Sequence, residues 1–184
     1  ARPRAVPLRR EMRMSTRACA AALIAATLAS ACDLLRHEAP LPTAEEAAAY
    51  YQNASGLIGV ELSGNVVEVR VRQPEGQLRR GGSLWARVGP YIYLFTPGTR
   101  DLLEAYGGVA AVRVITLAPG DVEVARATLK RDALNDILWR RSLNLLGRAL
   151  GEGTQRPSRL EALVEWGEQH TEYRYNPTYV PETR

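Results

Sequence analysis

The chain has 184 residues, 24 Lys+Arg against 20 Asp+Glu, and a formal charge of +4. That length holds one domain with extensions or two small ones, and 46% hydrophobic with 24% charged residues excludes wholesale disorder and fibrous repeats. Two cysteines and two histidines exclude a disulfide-dense scaffold and leave little for a histidine-based metal site.

The basic balance sits at the start of the chain. Residues 1–31 carry six arginines and one glutamate, a balance of +5, whereas from Cys32 onward 18 basic residues meet 19 acidic ones, a balance of −1. Excess positive charge ordinarily raises nucleic acid or an anionic membrane as a partner. Confined to a leader, it leaves a near-neutral domain for which no nucleic-acid partner is expected. Residues 1–11 show no structural pattern and read as upstream of a start at Met12. Arg13 and Arg17 then precede the uncharged stretch 18–31, shorter than the ~20 residues that span a bilayer but of the size of a signal-peptide core.

That stretch ends in Leu28-Ala29-Ser30-Ala31-Cys32, which resembles the lipobox of bacterial lipoproteins, with Ala29 where that family commonly has Leu. The resemblance implies that the Cys32 sulfur carries a diacylglyceryl group, that cleavage falls just before Cys32, and that the new amino group is often acylated as well. An ordinary secretory signal cut after Ala29-Ser30-Ala31 and a buried Ala-rich helix are the alternatives. Cys19 would leave with the signal, so no disulfide can form within the remaining chain. Two or more acyl chains, at ~0.8 kcal/mol per buried methylene, anchor a protein stably. The implied location is the cell envelope, anchored to a membrane by lipid and facing the periplasm or exterior.

Residues 33–42, with Pro40 and Pro42, read as a tether. Thr43-Ala44-Glu45-Glu46 marks a helix start, a capping hydroxyl followed by acids where the helix dipole favours them. This helix is expected to reach about Asn53, with Gly56 ending it. Leu57 to Leu62 reads as a strand and Ser63-Gly64-Asn65 as a turn. Val67, Val69 and Val71 then alternate with charged residues, the period of a half-buried strand. Pro74 to Gly82 is expected to be a loop carrying Arg79 and Arg80. Leu84 to Phe95 reads as a strand pair or bent strand broken at Gly89-Pro90, with Tyr91, Tyr93 and Phe95 on one face.

Thr99 is expected to cap a short helix, Arg100 to Tyr106, closed by Gly107-Gly108. Val109 to Leu117 and Val122 to Leu129 read as a hairpin around Ala118-Pro119-Gly120-Asp121. Apolar residues from Leu134 to Leu150 fall at helical spacing, stopped by Gly151-Glu152-Gly153. Ser158-Arg159-Leu160-Glu161 has the pattern of a capping box for a last helix to about His170. The tail from Thr171, with Tyr173, Tyr175, Tyr179 and two prolines, reads as irregular. The expected fold class is α+β: after the leader (1–31) and the lipidated Cys and tether (32–42), one domain over 43–172, then the tail 173–184. Its sheet is about five-stranded and mainly antiparallel, with an N-terminal helix and two C-terminal helices.

Catalytic patterns are sparse. A nucleophile–base pair needs a histidine or equivalent beside a Ser or Cys, but His37 lies in the tether and His170 near a helix end. Glu161, Glu165, Glu168 and Glu172 recur at helical spacing, the pattern of a solvated face more than of a cation site. Lys130, the sole lysine, follows a strand and suggests no buried nucleophile. No phosphate-binding glycine motif occurs. No catalytic residue, metal or cofactor is therefore assigned. Arg79, Arg80 and Arg87 beside Trp85, Tyr91 and Tyr93, with Phe95 nearby, form the candidate interaction surface, since Arg and aromatic residues dominate binding hot spots. The plainer alternative is that these aromatics fill and cover the core.

The expected function is a membrane-anchored envelope lipoprotein with a non-catalytic binding or structural domain. Its partners would be membrane lipid, through acylated Cys32, and an envelope protein or cell-wall component. Two other classes stay open. One is an exported carboxylate-based hydrolase of cell-wall material using a pair from Glu61, Glu68, Asp101 and Glu104. The other is a small-ligand carrier with an aromatic-lined cavity between sheet and helices.

Overall fold

The computed structural model describes residues 39–181; the leader, Cys32 and most of the tether lie outside them. In chain order the elements are α1 (Ala44–Ala49), β1 (Leu57–Ser63), β2 (Val66–Arg72), α2 (Glu75–Leu94), α3 (Pro97–Ala105), β3 (Ala111–Leu117), β4 (Glu123–Lys130), α4 (Asp136–Glu152), α5 (Pro157–His170) and β5 (Glu172–Tyr175). The five strands form one sheet in the order β1-β2-β3-β4-β5. Only β2 and β3 pair in parallel, because α2 and α3 carry the chain back across the sheet between them; the other three pairings are antiparallel. The α+β class read from the sequence is the fold observed.

Strand periodicity builds the core. Val67, Val69 and Val71 of β2 stand in register with Val112, Val114 and Thr116 of β3, and these with Leu129, Ala127 and Ala125 of β4. All nine are buried, and most join one apolar cluster with Val88, Tyr91, Leu94 and Phe95 of α2 and with Leu160, Leu163, Val164 and Trp166 of α5. The other side of the sheet carries Glu68, Arg70, Arg113, Arg126 and Arg174, and Arg113 reaches Glu68 at 3.5 Å.

The largest departure from the sequence reading lies between Pro74 and Phe95. That stretch is a helix, not a loop and strand pair. Residues 84, 88, 91 and 95 recur at helical spacing and bury one stripe, and the rings of Tyr91 and Phe95 stack one turn apart, 6.0 Å between centroids. The alternation of Tyr91, Tyr93 and Phe95 imitates strand period because its ends are also four residues apart. Gly82 interrupts the helix at φ 57° and ψ −148°, a conformation essentially reserved for glycine. Pro90 lies inside the second half.

Helix ends differ in smaller ways. Thr43 and Glu46 form the reciprocal capping box of α1, but the helix stops at Ala49, short of Asn53. Thr96, not Thr99, caps α3: its Oγ1 accepts from the Thr99 amide at 3.2 Å, with Pro97 at the first helical position. Asn135 caps α4 through Oδ1. Ser158 and Glu161 make no capping box, since α5 begins one residue earlier at Pro157 without a side-chain cap. The start of the tail is a strand, Glu172–Tyr175, which pairs antiparallel with β4 as the fifth strand. Tyr173 and Tyr175 point to one side of that strand and Glu172 and Arg174 to the other, by its period of two.

Candidate functional site

A cavity of about 590 Å³ opens beside α2. Its α2 wall is a helical stripe: Trp85, Gly89, Ile92 and Tyr93 follow one another at intervals of three to four residues or side by side. Tyr50, Tyr51 and the segment Asn53 to Ser55 close a second side, and Leu146, Ala149, Leu150 and Leu160 from the α4–α5 corner close a third. Gln73, Pro74 and Gln77, where β2 runs into α2, Thr96 to Gly98, where α3 begins, and Thr154 also line it.

Hydrogen bonds hold three of these walls together. The Tyr93 hydroxyl donates to the Ser55 carbonyl at 2.8 Å. Tyr51 and Thr99 share a buried hydrogen bond of 2.8 Å between their hydroxyls, and the Thr99 hydroxyl also donates to the Tyr93 carbonyl at 3.1 Å. The end of α2, the start of α3 and the segment after α1 therefore form one tied unit, so the cavity is pre-shaped by tertiary contacts.

The cavity is electrically neutral. Among the described residues no Asp, Glu, Lys, Arg or His lines it. Burial pushes the Tyr51 phenol well above the usual range, against the opposing hydrogen bond from Thr99, and burial raises Tyr93 as well. What remains is apolar surface with a few amide and hydroxyl groups. The most singular of these is Gln73. It is 5% exposed, its Nε2 donates to the Trp85 carbonyl at 2.6 Å, and its Oε1 has no hydrogen-bond partner among the described residues. A buried unpartnered acceptor costs about 1–3 kcal/mol. Its amide rests on Gly89, where a Cβ would stand 3.0 Å from Oε1.

A second, smaller polar recess lies on the other side of α2. Glu168 Oε1 accepts from Arg87 Nη2 at 2.7 Å, from Arg87 Nε at 3.2 Å and from the Tyr175 hydroxyl at 2.9 Å. The Tyr91 and Tyr175 hydroxyls lie 2.8 Å apart. Burial is the largest cause pushing both phenols up, and for Tyr175 the nearby Tyr91 and Glu168 add to it. Arg87, Glu168, Tyr91 and Tyr175 each have a hydrogen-bond partner within this group, which makes it a bolt joining α2, α5 and β5.

The six residues of the sequence-derived surface are thereby divided. Trp85 and Tyr93 line the cavity. Tyr91 is fully buried, and Arg87 is engaged with Glu168. Arg79 and Arg80 sit on the first half of α2, Arg79 beside Glu75 at 3.6 Å and Arg80 donating to the Gly76 carbonyl. The candidate acids also separate. Glu61 and Glu68 oppose each other on β1 and β2, Asp101 and Glu104 lie on α3, and none lines the cavity. Glu168 and Glu172 are held by Arg87 and Lys130. His170 stacks on Trp166, 3.9 Å between ring centroids, with Nδ1 2.8 Å from the Trp166 carbonyl oxygen. Among the described residues no group of three metal-ligating side chains stands together.

Comparison with family models, with curated proteins and with solved structures gives no match. The site therefore rests on its own geometry. The sequence reading missed Gln73, Ile92 and the α4–α5 corner. The spacing of Trp85, Gly89, Ile92, Tyr93 and Thr96 carried the signal, at helical and not strand period.

Proposed function

We propose that this chain is a lipid-anchored protein of the cell envelope whose domain catalyses nothing and holds a small molecule in the neutral cavity beside α2. Two independent features support the reading. The first is the lipobox-like end of the apolar leader at Cys32, seven residues ahead of the first described residue, Ala39. No helix among the described residues is long and apolar enough to cross a membrane, and an acylated Cys32 attaches the domain without one.

The second feature carries the binding half of the proposal: a cavity of about 590 Å³, within the size range of small-molecule sites, with mostly apolar walls and a few convergent polar groups. Among the described residues the lining holds no Asp, Glu, Lys, Arg or His for acid–base work near pH 7, which favours holding over turnover.

Labelling cells with radioactive palmitate tests the anchor: the label is expected on the wild-type chain and absent from Cys32→Ala, and equal labelling of both removes the anchor. Fluorescence titration of the purified full chain with N-phenyl-1-naphthylamine, an uncharged apolar probe, tests the cavity. Cys32→Ser in that protein keeps an acyl chain from competing. Leu150, 64% exposed at the cavity, takes a larger side chain without disturbing the core, so Leu150→Trp is expected to weaken the probe at least tenfold. Equal binding by both proteins would place the probe elsewhere and end the binding half of the proposal.

A further inference from the structure

A net charge near zero hides how charge is distributed, and on α4 it is of one sign. We infer that the outward face of α4 docks the domain on a membrane surface containing anionic phospholipid. Docking rests on the membrane location proposed above and adds an orientation to it: the lipid attaches the domain, and α4 turns it.

Ile137, Arg140, Arg141, Asn144 and Arg148 share one side of α4 by the helical period, and all five are exposed. Gly147 and Gly151 occupy the rest of that side, with nothing within 4 Å of their Cβ positions. The acids of α4, Asp136 and Glu152, sit at its two ends. Asp136 meets Arg100 at 3.5 Å, and Glu152 meets Arg156 and Arg159 at 3.0 and 3.3 Å. Among the described residues no carboxylate pairs with Arg140, Arg141 or Arg148. Arg141 lies instead over the Trp166 ring, 4.3 Å from its centroid, which leaves its charge uncancelled. The open side of the sheet is unlike this face: Arg113, Arg126 and Lys130 each meet a glutamate there, at 3.5, 2.6 and 2.5 Å. Ile137 adds apolar contact among the arginines. At 67% it is the most exposed large hydrophobic residue of those described. Arginines interleaved with exposed apolar surface on one helix face suit a lipid interface.

The chain's own attachment brings this face to a membrane. Cys32 precedes Ala39 by seven residues, a span of at most ~25 Å, so a lipid on Cys32 holds the start of the domain near the surface. That start is fastened to the end of α3, where the Gly108 amide donates to the Pro40 carbonyl at 2.9 Å. The beginning of α4 is fastened to the same helix. Arg131, four residues ahead of the Asn135 cap, donates to the Leu103, Tyr106 and Val109 carbonyls, and Asp136 meets Arg100. The end of the tether and the first turn of α4, with Ile137, are therefore both pinned to α3. Each arginine at an anionic surface adds about fivefold to binding. A tethered domain meets that surface at high effective concentration, so three arginines suffice to orient it. A zwitterionic surface offers them no net counter-charge.

A fluorescent label on α4 tests the docking. In the processed, acylated chain Ile137→Cys supplies a single free thiol for a nitrobenzoxadiazole label, because the only other cysteines are Cys19 and Cys32. In vesicles of phosphatidylcholine mixed with phosphatidylglycerol, the emission is expected to shift to the blue and to be quenched by brominated lipid. In phosphatidylcholine alone it is expected to stay water-like, as is a label at Glu61→Cys on the open side of the sheet in either vesicle. High salt is expected to reverse the response. Arg140→Glu together with Arg148→Glu is expected to lower the ratio of docked to undocked domain about twentyfold or more, the worth of two arginines. No response at Ile137, an equal response in both vesicles, or an equal response at Glu61 overturns the docking face. These comparisons and the salt series decide without the charge variant should it fold poorly. Flotation of the unlabelled wild type with phosphatidylcholine vesicles reads the anchor separately. A chain that does not float has no lipid anchor. The label at Ile137→Cys, carried with Cys19→Ser and Cys32→Ser, is then still expected to respond to phosphatidylglycerol, and silence there overturns the docking face on its own.

Discussion

At single residues, the structure shows which side chains are fixed by packing alone and which leave chemistry unspent. Gly167 is of the first kind. It faces Tyr91, and a Cβ there would lie 2.4 Å from the ring. Gly→Ala inside a helix ordinarily stabilises by about 0.5–1 kcal/mol; here the clash with a fully buried ring reverses the sign. Gly167→Ala is expected to destabilise by about 1–3 kcal/mol, read as a lower urea midpoint at unchanged slope, and a raised midpoint would show that α2 and α5 are not packed as described. Tyr175 belongs to a satisfied network. Tyr175→Phe removes its hydrogen bonds to Glu168 and Tyr91 and is expected to cost about 1–2 kcal/mol. Gln73 is of the second kind, an acceptor buried without a partner, and no local pattern around Arg72-Gln73-Pro74 marks it in the sequence.

At the level of elements, strands with clean alternation were legible and α2 was not. Val67, Val69 and Val71 predict β2 because every second residue is apolar and the charged neighbours lie on the other side. In α2 the glycines at 76, 81, 82 and 89 and the proline at 90 argue against a helix by propensity. Burial of Leu84, Val88, Tyr91 and Phe95 against the sheet overrides that preference. β5 escaped for the opposite reason: four residues carry too short an alternation to stand out, and only pairing with β4 makes them a strand. Because one wall of the cavity belongs to α2, misreading that element hid the site while leaving its aromatic residues visible. The break at Gly82 supplies the element-level prediction. Nothing lies within 4 Å of its Cβ position, so Gly82→Ala costs only the backbone conformation, on the order of 1–3 kcal/mol. Thermal or urea unfolding measures it, and a neutral result would mean that α2 runs on without the break.

For the whole molecule, the charge arithmetic and the tyrosine burial lead to distinct expectations. The +4 of the chain resolves into a basic stretch over residues 1–31 and near neutrality from Cys32 onward, so the proposed membrane attachment rests on a lipid and not on surface charge. Alkaline stability follows from the phenols. Burial raises Tyr51, Tyr91 and Tyr175 above the ordinary value of 10.0, so the folded chain keeps protons that the unfolded chain loses near that pH. The unfolded state then binds fewer protons, and stability falls as pH rises. It is expected to be unaffected by these groups below about pH 10 and to drop above it, with part of the tyrosinate absorbance appearing only as the circular dichroism collapses. Complete ionisation of all eight tyrosines in a chain with native circular dichroism would contradict the burial of these three.

The central claim, a lipid-anchored domain with a small molecule in its neutral cavity, is tested most directly by native mass spectrometry of the protein extracted from membranes in mild detergent. The expected spectrum shows a chain beginning at Cys32 with the added mass of a diacylglyceryl group, with or without a further acyl chain. It also shows a non-covalent small-molecule adduct that is present on the wild type and lost from Leu150→Trp. A chain whose Cys32 carries no added mass, or an adduct retained equally by both proteins, would contradict the account.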